Sequence, residues 1–100
     1  MKNVLLSADG CLSVYAVPNI VADDLEKYCL EFCSEWLWKS PHAESYRVDG
    51  VACYTEEDFI KYLNKWVFPD TPSGLIAELK GIYNPADVPQ RYKNCAWFNF

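Results

Sequence analysis

The stretch "NVLLSADGCLSVYAV", residues 3–17, decides how the chain begins to fold. It contains two apolar runs joined by Asp9 and Gly10. A two-residue type I′ turn needs positive φ at both central residues, and Asp-Gly adopts that conformation at little steric cost. The stretch therefore predicts a β-hairpin, with strands at about 3–8 and 11–17. Pro18 then ends the second strand.

The residues after Pro18 predict a helix that Asn19 caps and that runs to about Trp38. Ser40 and Pro41 follow, and a residue before proline is disfavoured in a helix. The apolar positions recur at helical spacing. They are Val21, Leu25, Tyr28, Cys29, Phe32 and Trp36, widened by Leu30, Cys33 and Leu37.

The order of a β-hairpin followed by a helix then repeats. In "SYRVDGVACY", residues 45–54, Asp49 and Gly50 lie between two short β-prone runs. "TEED" follows, in which Thr55 and Asp58 have the spacing of a capping box. The next helix carries one apolar face and ends at Pro69. That face consists of Phe59, Ile60, Leu63, Trp66 and Val67.

This order predicts an α+β fold: a ββαββα-like antiparallel sheet with two helices packed on one face. One hundred residues form a single domain, residues 1–100. Residues 72–82 fit either a short helix or an edge strand. The C-terminal "NCAWFNF", residues 94–100, alternates in side-chain direction if it is extended. We expect it to be ordered and docked, with Phe98 and Phe100 in the core and Trp97 more exposed.

Charge and cysteine content limit the classes of function. The net charge is −5 and the basic residues are scattered, which argues against direct binding of nucleic acid. The N-terminal apolar run is too short for a signal peptide, and no window has the length of a transmembrane helix. An odd number of cysteines without an export signal favours reduced thiols and a cytoplasmic protein. The five are Cys11, Cys29, Cys33, Cys53 and Cys95.

One candidate set for metal binding or catalysis is Cys29, Cys33 and the single histidine, His42. Two cysteines four apart on one helix face, with a histidine, have zinc-ligand chemistry. However, both cysteines fall within the apolar stripe, where free cysteine packs as a small hydrophobic residue. No second ligand pair is present in the sequence. We therefore expect no metal, no cofactor and no catalytic residue.

Acidic clusters and tryptophans are the candidates for binding a partner protein. Carboxylates at a helix start are favoured by the helix dipole, but a row of them also resembles a row of phosphates. Tryptophan is enriched at binding hot spots. The candidate partner-binding residues are Asp23, Asp24, Glu26, Glu56, Glu57, Asp58, Trp38 and Trp97.

Three segments resemble a family of small uncharacterised proteins of Gram-positive gut bacteria. They are "EKYCLEFCSEWLW", "YTEEDFIKYLNKWVFPD" and the closing "YKNCAWFNF". The resemblance covers nearly the whole chain. It implies a bacterial cytoplasmic setting, including phage or plasmid-like elements, and it implies no activity.

The sequence favours a non-enzymatic, acidic interaction protein of bacterial or mobile-element origin. An acidic surface attracts a partner protein with a basic surface and repels phosphates. One concrete form is an inhibitor that occupies the basic nucleic-acid channel of a host defence nuclease, as anti-CRISPR proteins do. The alternative is a small enzyme or metal-binding protein that uses Cys29, Cys33 and His42.

Overall fold

The predicted N-terminal hairpin is present, but its turn is wider than expected. The computed structural model describes residues 1–100 and pairs β1 (Lys2–Ser7) antiparallel to β2 (Ser13–Val17). Asp9 has φ 59°, but Gly10 does not adopt positive φ. The predicted two-residue type I′ turn is therefore wrong. The backbone N–H of Asp9 instead donates to Asn99 Oδ1 at 2.9 Å, which ties the wider loop to the C-terminal tail.

Two distant segments complete the main sheet. Strand β5 (Gly74–Glu78) lies at one edge and β6 (Ala96–Asn99) at the other, in the order β5-β2-β1-β6. Of the two alternatives for residues 72–82, the edge strand is therefore correct. Strand β6 runs parallel to β1, with Val4 opposite Ala96. The prediction of a wholly antiparallel sheet is wrong at this edge.

The second predicted hairpin forms, but it does not join the main sheet. Strands β3 (Arg47–Val48) and β4 (Val51–Ala52) pair only with each other. Asp49 and Gly50 have φ values of 51° and 79°, as a type I′ turn requires. Strands of two residues offer too few backbone hydrogen bonds to extend a sheet. The prediction that both hairpins build one sheet is therefore wrong.

The first predicted helix is interrupted near its start. Helix α1 covers Asn19–Asp23, and Asp24 then leaves the helical region with φ −141°. Helix α2 begins with Leu25–Leu30, continues as a π-helical segment, Glu31–Trp36, and ends with the turn Leu37–Lys39. The helix thus ends before Ser40 and Pro41, as predicted.

The two predicted helix caps have different outcomes. Asn19 is the first helical residue and not the cap; Pro18 precedes it and no side chain caps the helix. The capping box of Thr55 and Asp58 is present, and the backbone N–H of Thr55 donates to Asp58 Oδ2 at 2.9 Å. The second cap forms because its two partners have the required three-residue spacing.

Helix α3 covers Glu56–Tyr62 and continues as a π-helical segment, Leu63–Val67. The wide turn is closed by the N–H of Phe68, which donates to the carbonyl of Leu63 at 2.7 Å. A π turn rotates later side chains away from their α-helical positions. Trp66 is consequently 42% exposed, so the prediction that it belongs to the core is wrong.

Both faces of the main sheet are covered. Helices α2 and α3 pack on one face, as predicted, and their cluster includes Val4, Leu6, Phe32, Phe59 and Leu63. The C-terminal loop covers the other face, where Leu5, Leu12, Val14, Leu79, Val88 and Tyr92 form a second cluster. None of the helices is both long and apolar enough to cross a membrane.

Candidate partner-binding surface along strand β6

The aromatic tail is an ordered part of the fold. Phe98 and Phe100 are half-buried and pack against the helix-side core. Phe100 contacts the rings of Tyr54 and Phe59 at centroid distances of 5.9 and 5.4 Å. Trp97 is 55% exposed. The prediction of a docked tail with Trp97 outermost is therefore confirmed, although Phe98 and Phe100 lie at the border of the core.

Parallel pairing with β1 explains which aromatic rings are exposed. Phe98 lies opposite Leu6 and shares its helix-covered face, whereas Trp97 lies opposite Leu5 on the other face. Asn99 fixes the end of the strand, because its Oδ1 accepts a hydrogen bond from Ser7 Oγ at 2.9 Å. Trp97 is thus held in place by its neighbours and still presents its indole to solvent.

Two shallow grooves meet at Trp97. One, of about 420 Å³, is lined by Glu26, Trp97, Phe98 and Asn99. The other, of about 540 Å³, lies between Trp97 and Tyr83 and includes Asp9. Tryptophan is enriched at protein-binding hot spots, so an exposed indole between two grooves is a candidate anchor for a partner.

Two of the predicted acidic residues lie beside this strand. Glu26 shares the groove with Trp97, and Asp23 lies in a neighbouring groove with Ala96. Lys2 Nζ lies 2.5 Å from Asp23 Oδ1 and offsets its charge, whereas Glu26 has no such partner. We define the β6 surface by residues that line these grooves: Asp23, Glu26, Ala96, Trp97 and Asn99. Asp24, at the break between α1 and α2, is exposed next to this surface in sequence.

The second acidic cluster lies elsewhere. Glu56 and Glu57 lie close enough to Tyr15, a residue of β2, for their negative charges to disfavour ionisation of its hydroxyl group. Burial first, and then these carboxylates with Glu78, raise the pKa of Tyr15 to about 12. Asp58 is held in the capping box. The six predicted acidic residues therefore do not form one continuous row.

Trp38 belongs to neither group. It is 47% exposed on the last turn of α2, as its position off the apolar stripe predicts. It lines none of the grooves beside β6. Of the eight predicted residues, the structure brings Asp23, Glu26 and Trp97 together.

The alternative set of Cys29, Cys33 and His42 is not part of any cluster that could hold a metal ion. Cys29 is fully buried, and burial raises the pKa of its thiol. His42 stacks on the indole of Trp66 at a centroid distance of 4.1 Å. No three histidine, cysteine, aspartate or glutamate side chains converge in a way that would hold a metal ion.

Two features beyond the sequence predictions are visible. The pKa of the Cys11 thiol is lowered, chiefly by the hydrogen bond that the N–H of Gly81 donates at 3.3 Å and then by Tyr83. A second groove, between α2 and α3, is lined by aromatic and lysine side chains. Both depend on residues far apart in the chain, so no local sequence pattern indicates them.

No protein-family model, no curated protein and no solved structure matches this chain. The resemblance to small proteins of Gram-positive gut bacteria therefore stays a prediction.

Proposed function

We propose that the protein is a non-enzymatic binding protein whose β6 surface docks a partner protein with a basic surface. The observation that carries this proposal is the position of Trp97. It is 55% exposed on an edge strand, in a groove that it shares with the unpaired carboxylate of Glu26. An edge strand leaves one side of its backbone unpaired, which allows a partner to add hydrogen bonds.

Charge supports a basic partner. The protein carries a net charge of −5. Asp9 and Glu26 line the grooves at Trp97, and the exposed Asp24 precedes Leu25 and Glu26 in the sequence. Carboxylates around an aromatic anchor steer a positively charged surface toward it and disfavour an acidic one. Lys2 and Arg91 line the groove beside Ala96, and their positive charges repel a basic partner there. The attraction for a basic partner is therefore strongest on the side of Glu26.

The specific form of this proposal is an inhibitor that covers the basic nucleic-acid channel of a defence nuclease. In this form Asp23, Asp24 and Glu26 take the place of phosphates. The second cluster, Glu56 and Glu57, lies near Tyr15 of β2, which is two strand spacings, about 10 Å, from β6. We therefore assign the contact to the β6 side. We also propose a cytoplasmic setting, which suits five free thiols.

The experiment is a quantitative pull-down from bacterial extract with the wild-type protein and four variants. Trp97→Ala and Glu26→Lys alter the β6 surface. Trp38→Ala and Glu57→Lys are matched controls, because they change an exposed tryptophan and an acidic residue outside it. We expect one protein with a basic surface to be retained by wild type and both controls and lost with both β6 variants.

Two outcomes would contradict the proposal. One is a specific partner that the β6 variants retain and a control variant loses. The other is a retained partner whose contact surface is acidic. Circular dichroism of every variant separates loss of binding from loss of folding.

A further inference from the structure

A further groove lies between α2 and α3, and none of its lining residues belongs to the main sheet. It has a volume of about 530 Å³, which is within the range of small-molecule sites. Four aromatic side chains, two lysines and one asparagine line it. They are Trp36, Tyr46, Tyr62, Trp66, Lys61, Lys65 and Asn64.

Both π-helical segments of the protein contribute to this groove. Glu31–Trp36 supplies Trp36, and Leu63–Val67 supplies Asn64, Lys65 and Trp66. A regular α-helix would turn Trp66 toward the core, as its spacing from Leu63 predicts. π-helical turns are rare and frequently occur at functional sites. Here they provide two of the four aromatic side chains of the groove, Trp36 and Trp66.

The aromatic walls are held in place by other side chains. The Trp36 ring lies 5.0 Å from Tyr62 and 6.1 Å from Tyr46. Trp66 is stacked on His42 at 4.1 Å. Because these rings support one another, a ligand would lose little free energy in ordering them.

Asn64 fixes the helix that carries the lysines. Its Nδ2 donates to the carbonyl of Ser73 at 2.9 Å, and its Oδ1 accepts from the N–H of Ser73 at 2.6 Å. One N–H and one lone pair of the amide group are therefore used inside the protein. The other groups that face a ligand are the aromatic rings and the two ammonium groups.

The charged side chains that line the groove are both basic, opposite in sign to the net charge of the protein. Lys61 and Lys65 are exposed and form no ion pair, and Lys65 Nζ lies 5.1 Å from the centroid of Trp66. Acidic groups are near as well. After burial, the charge of Asp58 raises the pKa of Tyr46, and the charge of Glu31 raises the pKa of Tyr62. Asp58, however, is held in the capping box. Lys61 and Lys65 are thus the charged side chains that line the groove itself.

We propose that this groove binds a nucleoside monophosphate. The base would contact the aromatic walls and the phosphate would pair with Lys61 and Lys65. A purely apolar ligand would make no use of the two exposed ammonium groups, and inorganic phosphate would make no use of the aromatic surface. A planar ring that carries a phosphate satisfies both parts of the groove. This site is separate from the β6 surface, so the two proposals stand or fall independently.

The test is calorimetric titration of the full-length protein at low salt. Adenosine monophosphate is compared with adenosine, which lacks the charge, and with ribose phosphate, which lacks the ring. We expect adenosine monophosphate to bind about tenfold more tightly than either half, because each half loses one set of contacts. The variant Lys61→Gln/Lys65→Gln should weaken binding about tenfold.

Lys80→Gln is the matched control, since Lys80 is exposed just beyond β5 and outside the groove. It should leave binding unchanged, whereas Trp66→Ala should reduce it. The proposal is overturned if adenosine monophosphate does not bind saturably, or if ribose phosphate binds as tightly. Equal loss with Lys80→Gln, or tighter binding of a poly-glutamate peptide, would overturn it as well.

Discussion

Phe32, in the middle of α2, and Phe100, at the end of the chain, meet edge to face with their ring centroids 5.9 Å apart. Phe32 is fully buried and also contacts the rings of Tyr54, Phe59 and Tyr62. The last residue of the chain thus completes the aromatic cluster at the centre of the core. The tail contributes to stability, and it also positions Trp97.

The first prediction concerns this division of roles within the tail. Phe100→Ala removes ring contacts to the core and should lower the free energy of unfolding by about 3 kcal/mol, near the lower end for a buried phenylalanine because Phe100 is half-buried. Trp97→Ala removes an exposed ring and should cost less. Urea unfolding of both variants measures the difference. Equal losses, or a larger loss for Trp97→Ala, would contradict the assignment.

The second prediction concerns stability at high pH. Tyr15 has a pKa of about 12, raised from 10.0. The unfolded chain therefore loses this proton first as the pH rises, which favours unfolding. The stabilising contribution is complete below pH 10 and is lost between pH 10 and about 12. Tyr15→Phe should make the free energy of unfolding fall less steeply with pH over that interval. If the variant has the same dependence of unfolding free energy on pH as the wild type, the hydroxyl group of Tyr15 is not buried as described.

The third prediction concerns the start of α3. Thr55→Ala removes the side chain of the capping box and should lower the free energy of unfolding by about 1 kcal/mol. Asn19→Ala is the matched control, because Asn19 makes no cap hydrogen bond in α1. Thermal unfolding compares the two. A larger effect at Asn19 than at Thr55 would reverse the assignment of the caps.

The features predicted correctly from the sequence are those that depend on neighbouring residues. The hairpin at Asp49 and Gly50, the capping box at Thr55 and the end of α2 before Pro41 all follow from local backbone chemistry. The exposure of Trp97 follows from the alternation of side chains along an extended tail.

The features that sequence patterns did not predict depend on contacts between distant residues. Strand β6 pairs with β1 across more than 90 residues, as in Leu6 opposite Phe98, and no local pattern specifies that register. The position of Trp66 depends on the π-helical segment Leu63–Val67, which no sequence pattern indicated. The separation of the acidic residues at Asp23 and Glu26 from those at Glu56 and Glu57 follows from the strand order.

The fourth prediction concerns the salt dependence of partner binding. Electrostatic attraction between the β6 surface and a basic partner should accelerate association at low ionic strength. We expect the association rate to fall about tenfold from low to high salt, and Glu26→Gln to reduce this dependence. Surface plasmon resonance measures the rate. A rate that does not change with salt would show that charge does not guide the encounter.

The most direct test of the β6 surface is amide hydrogen exchange of the protein, alone and bound to the partner recovered by the pull-down. If β6 is the docking strand, residues 96–99 and the turn around Asp23 to Glu26 gain protection in the complex. The Trp97→Ala variant, mixed with the same partner, should show no such gain. Protection that appears instead at Glu56–Asp58 or around Trp38, with β6 exchanging as in the free protein, would contradict the proposed site.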